Sequence, residues 1–567
     1  MSEFARSVDV VVVGSGSAAL TAAVTARDQG LEVLVVESTD KLGGSSAMSG
    51  GGAWIPNNHL MKAAGTPDSF ENARTYLDAV IADVGPASSP ERRDAFVTEG
   101  PEMVKFLEGK GFEWVYGTGY SDYHPEEPGG SALGRGIEGK MFNVKKLDKS
   151  LRDQIRPGVP IAMYTFEVGT FMRAFRSMKG FAKAVQIIGV RTIGGRLIGK
   201  QFMTNGQTLI AQLLNIAHGQ GVQIMTQSPL VELIQEDGAV TGVVIESGGQ
   251  RVRIGARKGV IIGAGGFAQN DEMREKYLPL PTSKQWSSAN PGDQGGPINA
   301  AIEVGADIAL MDDGWWGPSA VDPATGAASF LVSERSFPHT FIVDSSGQRF
   351  MNESASYVDC GHLQYERNKT VAAVPAWLIM DTTNRNSYPF GFALPRMTPK
   401  SMLESGYIIK ADTLEELAAK IEVDSDGLLA TAKKFAEYAR TGKDEDFGRG
   451  DSVYDHVYGD PRVKPNPNLG AVAKGPFYAT KIYPGDLGTK GGIMTDEHAR
   501  ALRPDGSVIP GLYAAGNSSA SIMGDRYPGP GSTIGPAMTF GYVAGKHVGS
   551  HSEQLTGKSA GGVEAAE

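Results

Sequence analysis

Cysteine is almost absent: 567 residues contain one, Cys360. No disulfide can form within the chain, which suits a reducing compartment, and the expected location is cytoplasmic. Cys360 reads as a small buried apolar residue. Long hydrophobic runs are also lacking. No stretch reaches the roughly 18 uninterrupted apolar residues of a membrane span, and no leader is expected because a strand begins near Val8. Excess basic charge is missing too, since 54 Lys and Arg face 64 Asp and Glu for a net charge of −10. Nucleic acid is therefore not expected as the main partner, because phosphate binding needs a basic face. The nine histidines are scattered. Their one close pair, His547 and His551, suits a surface helix end better than a metal site, so no metal is expected. Internal repeats are absent. The segment 556–567 reads as a disordered tail.

The N-terminus is richer. Val10-Val11-Val12-Val13, led in by Val8-Asp9, is a run suited to a strand buried on both faces. It leads into Gly14-Ser15-Gly16-Ser17-Ala18-Ala19 and then a helical pattern from Leu20. Gly14 permits the tight turn, Gly16 lets a pyrophosphate approach the backbone, and Ala19 replaces the third glycine. The helix start then supplies unpaired N–H groups and a positive dipole end. A second strand, Val33-Leu34-Val35-Val36, ends in Glu37. An acid about 20 residues past the first glycine accepts hydrogen bonds from ribose hydroxyls. Strand, loop, helix, strand and acid in this order predict a dinucleotide site.

NAD and FAD share that pattern, so other segments must decide. Gly43-Gly44-Ser45-Ser46 forms a second Gly/Ser loop, which suits a long cofactor lying extended over the protein. Far downstream, Val260-Ile261-Ile262-Gly263-Ala264-Gly265-Gly266 is a strand ending in glycines. Gly511-Leu512-Tyr513-Ala514-Ala515-Gly516-Asn517 is another. Gly531-Ser532-Thr533-Ile534-Gly535-Pro536-Ala537 reads as a loop entering a helix, with Pro536 in the first turn.

These segments resemble the FAD-binding elements of the flavoprotein family that includes fumarate reductases and 3-ketosteroid dehydrogenases. The resemblance implies FAD held by Gly14–Ala19, Glu37, Gly43–Ser46, Gly265, Gly516 and Asn517. It also implies that a helix start at Ile534, Gly535 and Ala537 faces the pyrimidine end of the flavin. The expected fold class is α/β, with a Rossmann-like FAD-binding domain discontinuous in sequence and an inserted α+β catalytic domain. The expected boundaries are 1–318 and 489–555 for the flavin domain and 319–488 for the insertion. A turn at Asp344-Ser345-Ser346-Gly347 and a helix over Thr413–Lys420 fall in the insertion.

Residues 145–200 differ in charge, with twelve Lys or Arg against three acids. Phe171, Phe175, Met178, Phe181, Val185 and Ile188 recur there at three- and four-residue steps. A basic amphipathic helix of this kind can lie on a membrane surface or pack on its own protein with a solvated basic face. Packing on the protein is the favoured expectation.

Across nearly the whole chain the sequence is similar to bacterial 3-ketosteroid Δ1-dehydrogenases. The matching strings are Gly119-Tyr120-Ser121-Asp122-Tyr123-His124-Pro125-Glu126, Trp315-Trp316-Gly317-Pro318, Arg349 to Tyr357, Pro484 to Gly492, and Tyr527-Pro528-Gly529-Pro530-Gly531. That family desaturates ring A between C1 and C2 and passes electrons to a quinone-type carrier or artificial dye. By this resemblance Tyr527 donates its hydroxyl, and Gly531 its amide, to the C3 oxygen. Tyr357 is the base and Tyr123 assists it. A phenol with pKa near 10 is only about 0.1% ionised at pH 7, a deficit of roughly 4 kcal/mol. A hydrogen bond from Tyr123, the flavin-side dipole or concerted hydride loss could each close it. Tyr120 is read as pocket lining, and Trp315 and Trp316 either line an apolar steroid slot or pack in the core.

Two positions depart from the family pattern and could border the pocket, His124 and Tyr483. The nearest rival is a 3-ketosteroid Δ4-(5α)-dehydrogenase with the same flavin. A dicarboxylate enzyme like fumarate reductase needs converging arginines and histidines, whereas the C-terminal loop offers Arg526 alone. A non-catalytic flavin-binding module would leave the tyrosines without purpose.

Overall fold

A computed structural model describes residues 4–158 and 161–550; the expected tail 556–567 lies outside them. The strand Arg6–Val13, the helix Ser17–Asp28 and the strand Val33–Val36 follow in the anticipated order. Alternate valines enter different cores. Val10 and Val12 pack with Ala19 and Leu20, while Val11 and Val13 pack with Ile262 and Leu512. A strand covered on both sides has no polar face, so its sequence shows no alternation.

Arg6–Val13 is central in the first sheet. Val33–Val36 and then Gln223–Met225 lie on one side of it. Gln250–Ile262 and then Val508–Ala514 lie on the other, and all four pairings are parallel. The C-terminal helix Ile534–Ser550 returns to pack along Ser17–Asp28. Two small residues allow that approach: a Cβ at Gly541 would lie 2.3 Å from the Ala18 carbonyl, and one at Gly545 2.6 Å from that of Ala22. The two ends of the chain therefore build one unit.

A second sheet is antiparallel, in the order Ala328–Phe330, Gly314–Val321, Phe477–Thr489, Ala376–Met380, Thr340–Val343. Period-two alternation sorts its side chains. Phe341, Val343, Trp377 and Ile379 face the helices Leu414–Ile421 and Ser425–Thr441, whereas Ile342, Leu378, Met380 and Ile482 pack with Met351 and Cys360. The helix expected from Thr413 starts at Leu414, capped by the Thr413 hydroxyl accepting from the Glu416 amide at 3.1 Å. In the expected turn, the Asp344 carboxylate accepts from the Ser346 amide at 2.8 Å and Gly347 takes φ +72°. The expected boundaries after 318 and 488 both fall inside strands, Gly314–Val321 and Phe477–Thr489, which pair with each other. A shift in composition does not mark where a hydrogen-bonded strand begins.

Residues 145–200 are not one continuous helix. They form Lys149–Gln154, Val168–Phe171, Met178–Ala184, the π-helical Val185–Gly194 and Gly195–Leu197. The expectation that their apolar side packs on the protein is not met. Phe175 is 66% exposed, Met178 83% and Phe181 58%, while Ile187 of the same segment is fully buried. Two basic side chains turn inward instead, Lys183 and Arg191, to pair with Glu167 at 2.9 and 2.6 Å. No helix among the described residues is long and apolar enough to cross a membrane.

Candidate active site

Four chain segments converge on the nucleotide cradle. Gly14 has φ +99°, and a Cβ there would lie 2.5 Å from the Gly263 carbonyl. Gly16 caps the helix Ser17–Asp28 with no side chain of its own, which leaves the amides of Ala18 and Ala19 in the first turn without a cap from it. Ser46 is a strut, its Oγ accepting from the Ser17 amide at 3.1 Å and donating to the Ser17 hydroxyl at 3.0 Å. Ser15 donates to Glu37 at 2.6 Å and accepts from the Gly43 amide at 3.0 Å. Glu37 is thus locked at the strand end, its other oxygen accepting from the Thr39 amide at 2.9 Å. Gly44 follows Gly43 into the short helix Gly44–Met48.

Gly516 (φ +67°) joins the two ends of the chain, because a Cβ there would lie 3.2 Å from the Ala18 Cβ and 3.5 Å from the Ala537 Cβ. Gly265 is equally confined, with Asp293 Oδ1 2.4 Å from a Cβ built there. Ser45 donates to that carboxylate at 2.9 Å. Burial pushes the Asp293 carboxyl up to about 7, against hydrogen bonds from Ser45 and Asn290. Asn517 accepts from Trp315 Nε1 at 3.1 Å. A narrow cavity opens between Trp315, Asn517, Thr533, Pro536 and Ala537. Ile534 and Gly535 begin the helix behind it; a Cβ on Gly535 would meet the Trp54 carbonyl at 2.3 Å. Glycine backbone where a Cβ would clash, orphan helix amides and a fixed ribose-side acid together fit an FAD laid along this groove.

Beside the cavity stands a cluster of tyrosines. Tyr527 stacks on Tyr123 with ring centroids 5.2 Å apart, and Tyr357 lies 5.0 Å from Tyr527 and 5.5 Å from Tyr123. All three are buried. Burial holds Tyr357 well above its ordinary phenol value, reinforced by Tyr527 and opposed by the Tyr123 hydroxyl. Tyr123 is raised in the same way by burial and by its tyrosine neighbours. Gly531 (φ +97°) packs so tightly on Gly52 that a Cβ would lie 2.4 Å from its carbonyl. The Gly531 carbonyl accepts from the Trp54 and Gly535 amides at 3.0 and 2.8 Å, which fixes the orientation of its peptide.

Tyr357 opens the helix Tyr357–Asn368, which is seated against the second sheet at Gly361, 2.3 Å from the Trp316 Cβ if a Cβ were present. Tyr123 sits in a loop anchored by buried charges. Arg135 bridges Asp122 and Asp68, and Trp54 Nε1 donates to Asp122 at 2.8 Å. The Tyr123 loop is also tied to the Tyr527 loop through Pro528, whose carbonyl accepts from the Tyr123 amide at 2.9 Å and the Tyr76 hydroxyl at 2.6 Å.

Of the two adjacent tryptophans, only Trp315 meets the tyrosines, edge-on to Tyr527 at 5.3 Å. Trp316 points to the opposite face of the strand, among Phe267, Met273 and Tyr365, and is not pocket lining. Alternation along a strand forbids both from facing the same side. Tyr483 is likewise absent from the cluster and stacks on Trp286 at 4.7 Å. Tyr120 joins the cluster's edge, 6.5 Å from Tyr123, with its hydroxyl 2.7 Å from that of Tyr458. His124 lies 3.6 Å from Asp359, which also holds Arg526 at 3.3 Å, so that arginine is not free to bind a dicarboxylate. His547 hydrogen-bonds Tyr513 at 3.0 Å, while His551 lies outside the described residues. Among the described residues no cluster could hold a metal ion.

Sequence reasoning missed Asp293, Tyr454 and Tyr458. Tyr454 lies tilted against Tyr123 with ring centroids 4.3 Å apart, and both Tyr454 and Tyr458 sit on the helix Val453–Tyr458. Their four-residue spacing puts them on one helical face and was a usable signal.

Residues 9–534 match the FAD binding domain family. A 3-oxosteroid 1-dehydrogenase of Mycolicibacterium smegmatis is 46% identical over 94% of this chain and 96% of its own. A 4-oxocyclohex-2-ene-1-carboxylate 5-dehydrogenase of Sinomonas cyclohexanicum is 36% identical over 95% and 93%. The crystal structure of 3-ketosteroid Δ1-dehydrogenase from Sterolibacterium denitrificans, in complex with 1,4-androstadiene-3,17-dione, superposes with a TM-score of 0.91 at 38% identity, covering 96% of this chain and 100% of that one. The chain therefore belongs to the FAD binding domain family, and it is an FAD-dependent dehydrogenase whose full-length relatives include 3-oxosteroid 1-dehydrogenases.

Proposed function

We propose that this enzyme desaturates ring A of 3-ketosteroids between C1 and C2. The observation that carries the reading is the meeting of Tyr527, Tyr357 and Tyr123 within 5.0–5.5 Å, ring to ring, beside the flavin groove. The Tyr527 hydroxyl and the Gly531 amide bind the ketone oxygen, and they stabilise the charge that gathers there. Tyr357, acting as its phenolate, takes the proton from C2. Its O–H bond forms as the C–H bond breaks, and the electron pair moves toward the carbonyl. Tyr123 hydrogen-bonds Tyr357 and orients it. Bound FAD supplies the acceptor for the hydride from C1. Trp315, Phe330 and Tyr120 keep water from the reacting ring.

Residues 319–488 act as the substrate-covering domain, with the helices of Tyr357 and Tyr454 as its contribution to the pocket. A quinone-type carrier or dye reoxidises the flavin. The exposed apolar side chains of Phe175, Met178 and Phe181, with Lys179 and Arg196 among them, support contact with an anionic lipid surface. Sedimentation with phosphatidylserine vesicles tests this, and equal pelleting by the triple Phe175→Ser, Met178→Ser, Phe181→Ser protein would refute it.

The Sinomonas relative is named for a small cyclic ketone acid, which makes that class the second reading. Anaerobic titration with 4-androstene-3,17-dione separates the two. The steroid should bleach the flavin and yield the 1,4-dien-3-one. Bleaching by 4-oxocyclohexanecarboxylate alone reverses the assignment.

A further inference from the structure

The tyrosine cluster carries an energetic problem. Every phenol in it is buried, and burial disfavours the phenolate that a tyrosine base must become. Tyr454 shows how dry the site is: it is 1% exposed and its hydroxyl has no hydrogen-bond partner among the described residues. A compensating charge is therefore to be sought against the helix that presents Tyr357.

Arg335 stands there. It is fully buried, yet its hydrogen-bond acceptors are neutral. Nε donates to the Leu331 carbonyl at 3.2 Å. Nη1 donates to the Glu353 carbonyl, to the Ala355 carbonyl at 2.8 Å, and toward the Cys360 sulfur at 3.4 Å. Nη2 has no hydrogen-bond partner among the described residues. Ala355 and Cys360 flank Tyr357 in the chain, so the guanidinium grips the start of the very helix that presents the base. Most other charged groups around the cluster have partners of opposite charge; Asp455, beside Tyr454, is held instead by Asn352 and the Gly450 amide, and burial raises its carboxyl. Glu353 pairs with Arg349 and Arg449, Asp122 with Arg135, and Asp359 with Arg526 and His124. Beside Trp315, Lys490 pairs with Asp313, which also holds His362. Glu334, next to Arg335 in sequence, has its carboxyl raised by burial. A guanidinium cannot shed its proton, so its charge persists however dry the site.

We propose that Arg335 is the fixed counter-charge of the tyrosine cluster, a positioning residue that makes a phenolate at Tyr357 accessible through Tyr454 and Tyr123. The proton that Tyr357 sheds goes to solvent before substrate binds, which leaves the phenolate ready to accept the one from carbon. Electrostatics agrees with the geometry. Burial opposes the Arg335 charge, but the anions that Cys360, Tyr454, Tyr123 and Tyr458 would form outweigh it and hold the guanidinium above its ordinary value. Burial raises the Tyr458 phenol to about 12, with Tyr120 and then Arg335 acting against that rise.

The inference rests on Tyr357 as the base, and its test keeps the two apart. The measurement is kcat/KM against pH for the holoenzyme and for Arg335→Met, Arg335→Lys, Tyr454→Phe and Tyr357→Phe. Loss of the charge in Arg335→Met should lower kcat/KM about 10²-fold at neutral pH and move the acid limb up by about two pH units, tenfold per unit. Arg335→Lys should restore the limb, and Tyr454→Phe should move it part of the way. If Arg335→Met loses rate with an unmoved limb, or Arg335→Lys matches Arg335→Met, the counter-charge is refuted. Should Arg335→Met fail to fold, an unmoved limb in Tyr454→Phe refutes it equally. Parental turnover by Tyr357→Phe would instead sink the underlying assignment of the base.

Discussion

The main-chain amide of Tyr123 donates to the carbonyl of Pro528 at 2.9 Å, and this bond ties an N-terminal loop to the C-terminal loop that carries Tyr527. The stack of Tyr123 on Tyr527 is therefore set by backbone as well as by ring contact. A change in either loop should be felt by both tyrosines.

On the proposed function, Tyr527→Phe removes one of two donors to the ketone oxygen. We expect kcat/KM to fall about 10²–10³-fold, the usual cost of one such donor. Flavin content and melting temperature should stay near parental, since the Tyr527 hydroxyl has only a 3.4 Å contact with Thr533 and its contact with Tyr357 to lose. Steady-state dye reduction with a ketosteroid measures the rate; a loss below threefold would remove Tyr527 from the carbonyl site.

Gly14→Ala tests the cradle. The position has φ +99°, and the added methyl would lie 2.5 Å from the Gly263 carbonyl. The left-handed conformation alone costs an L-residue about 1–2 kcal/mol. Purified protein should carry far less flavin than the parent by visible absorbance, and full loading would show that the turn tolerates a side chain.

Asp122→Asn probes the loop's anchor. Asp122 and Asp68 share the buried guanidinium of Arg135. Taking away one partner of a buried pair typically costs about 3–5 kcal/mol. The melting temperature should drop, and activity should fall further than folding explains because Tyr123 lies next in the chain. Unchanged thermal denaturation would show the pair to be energetically neutral.

Asp313→Asn gives a pH signature. Burial pushes the Asp313 carboxyl up, but Lys490 and His362 outweigh it and hold it down at about 2. An acid whose folded value lies below its unfolded one stabilises the fold above the unfolded value, and that stability fades as pH falls. Parent and variant should therefore differ in denaturant midpoint above about pH 4, and the gap should close as pH drops toward 2. A gap independent of pH would place the effect in packing rather than charge.

The dinucleotide elements were legible because each is local. Val10 to Val13, Gly14, Gly16 and the helix that follows are fixed by backbone sterics and burial over a few residues. The reading of Cys360 as a buried residue also follows from its chemistry, and it is fully buried. Trp315 and Trp316 were not separable, because alternation says that they oppose each other and not which one faces the tyrosines. The basic segment misled for a related reason. Its three- and four-residue periodicity was real, but which side meets protein depends on neighbours far away in the chain.

By itself, then, the sequence determined the dinucleotide cradle, which rests on short-range patterns, and its resemblance to a known family pointed to the flavin and the class of chemistry. Only the tertiary structure decided that Tyr454 packs on Tyr123, that Asp293 sits under Gly265, and that Arg335 lies buried against the start of the Tyr357 helix. Such contacts join residues far apart in the chain, and no local propensity encodes the packing that brings them together.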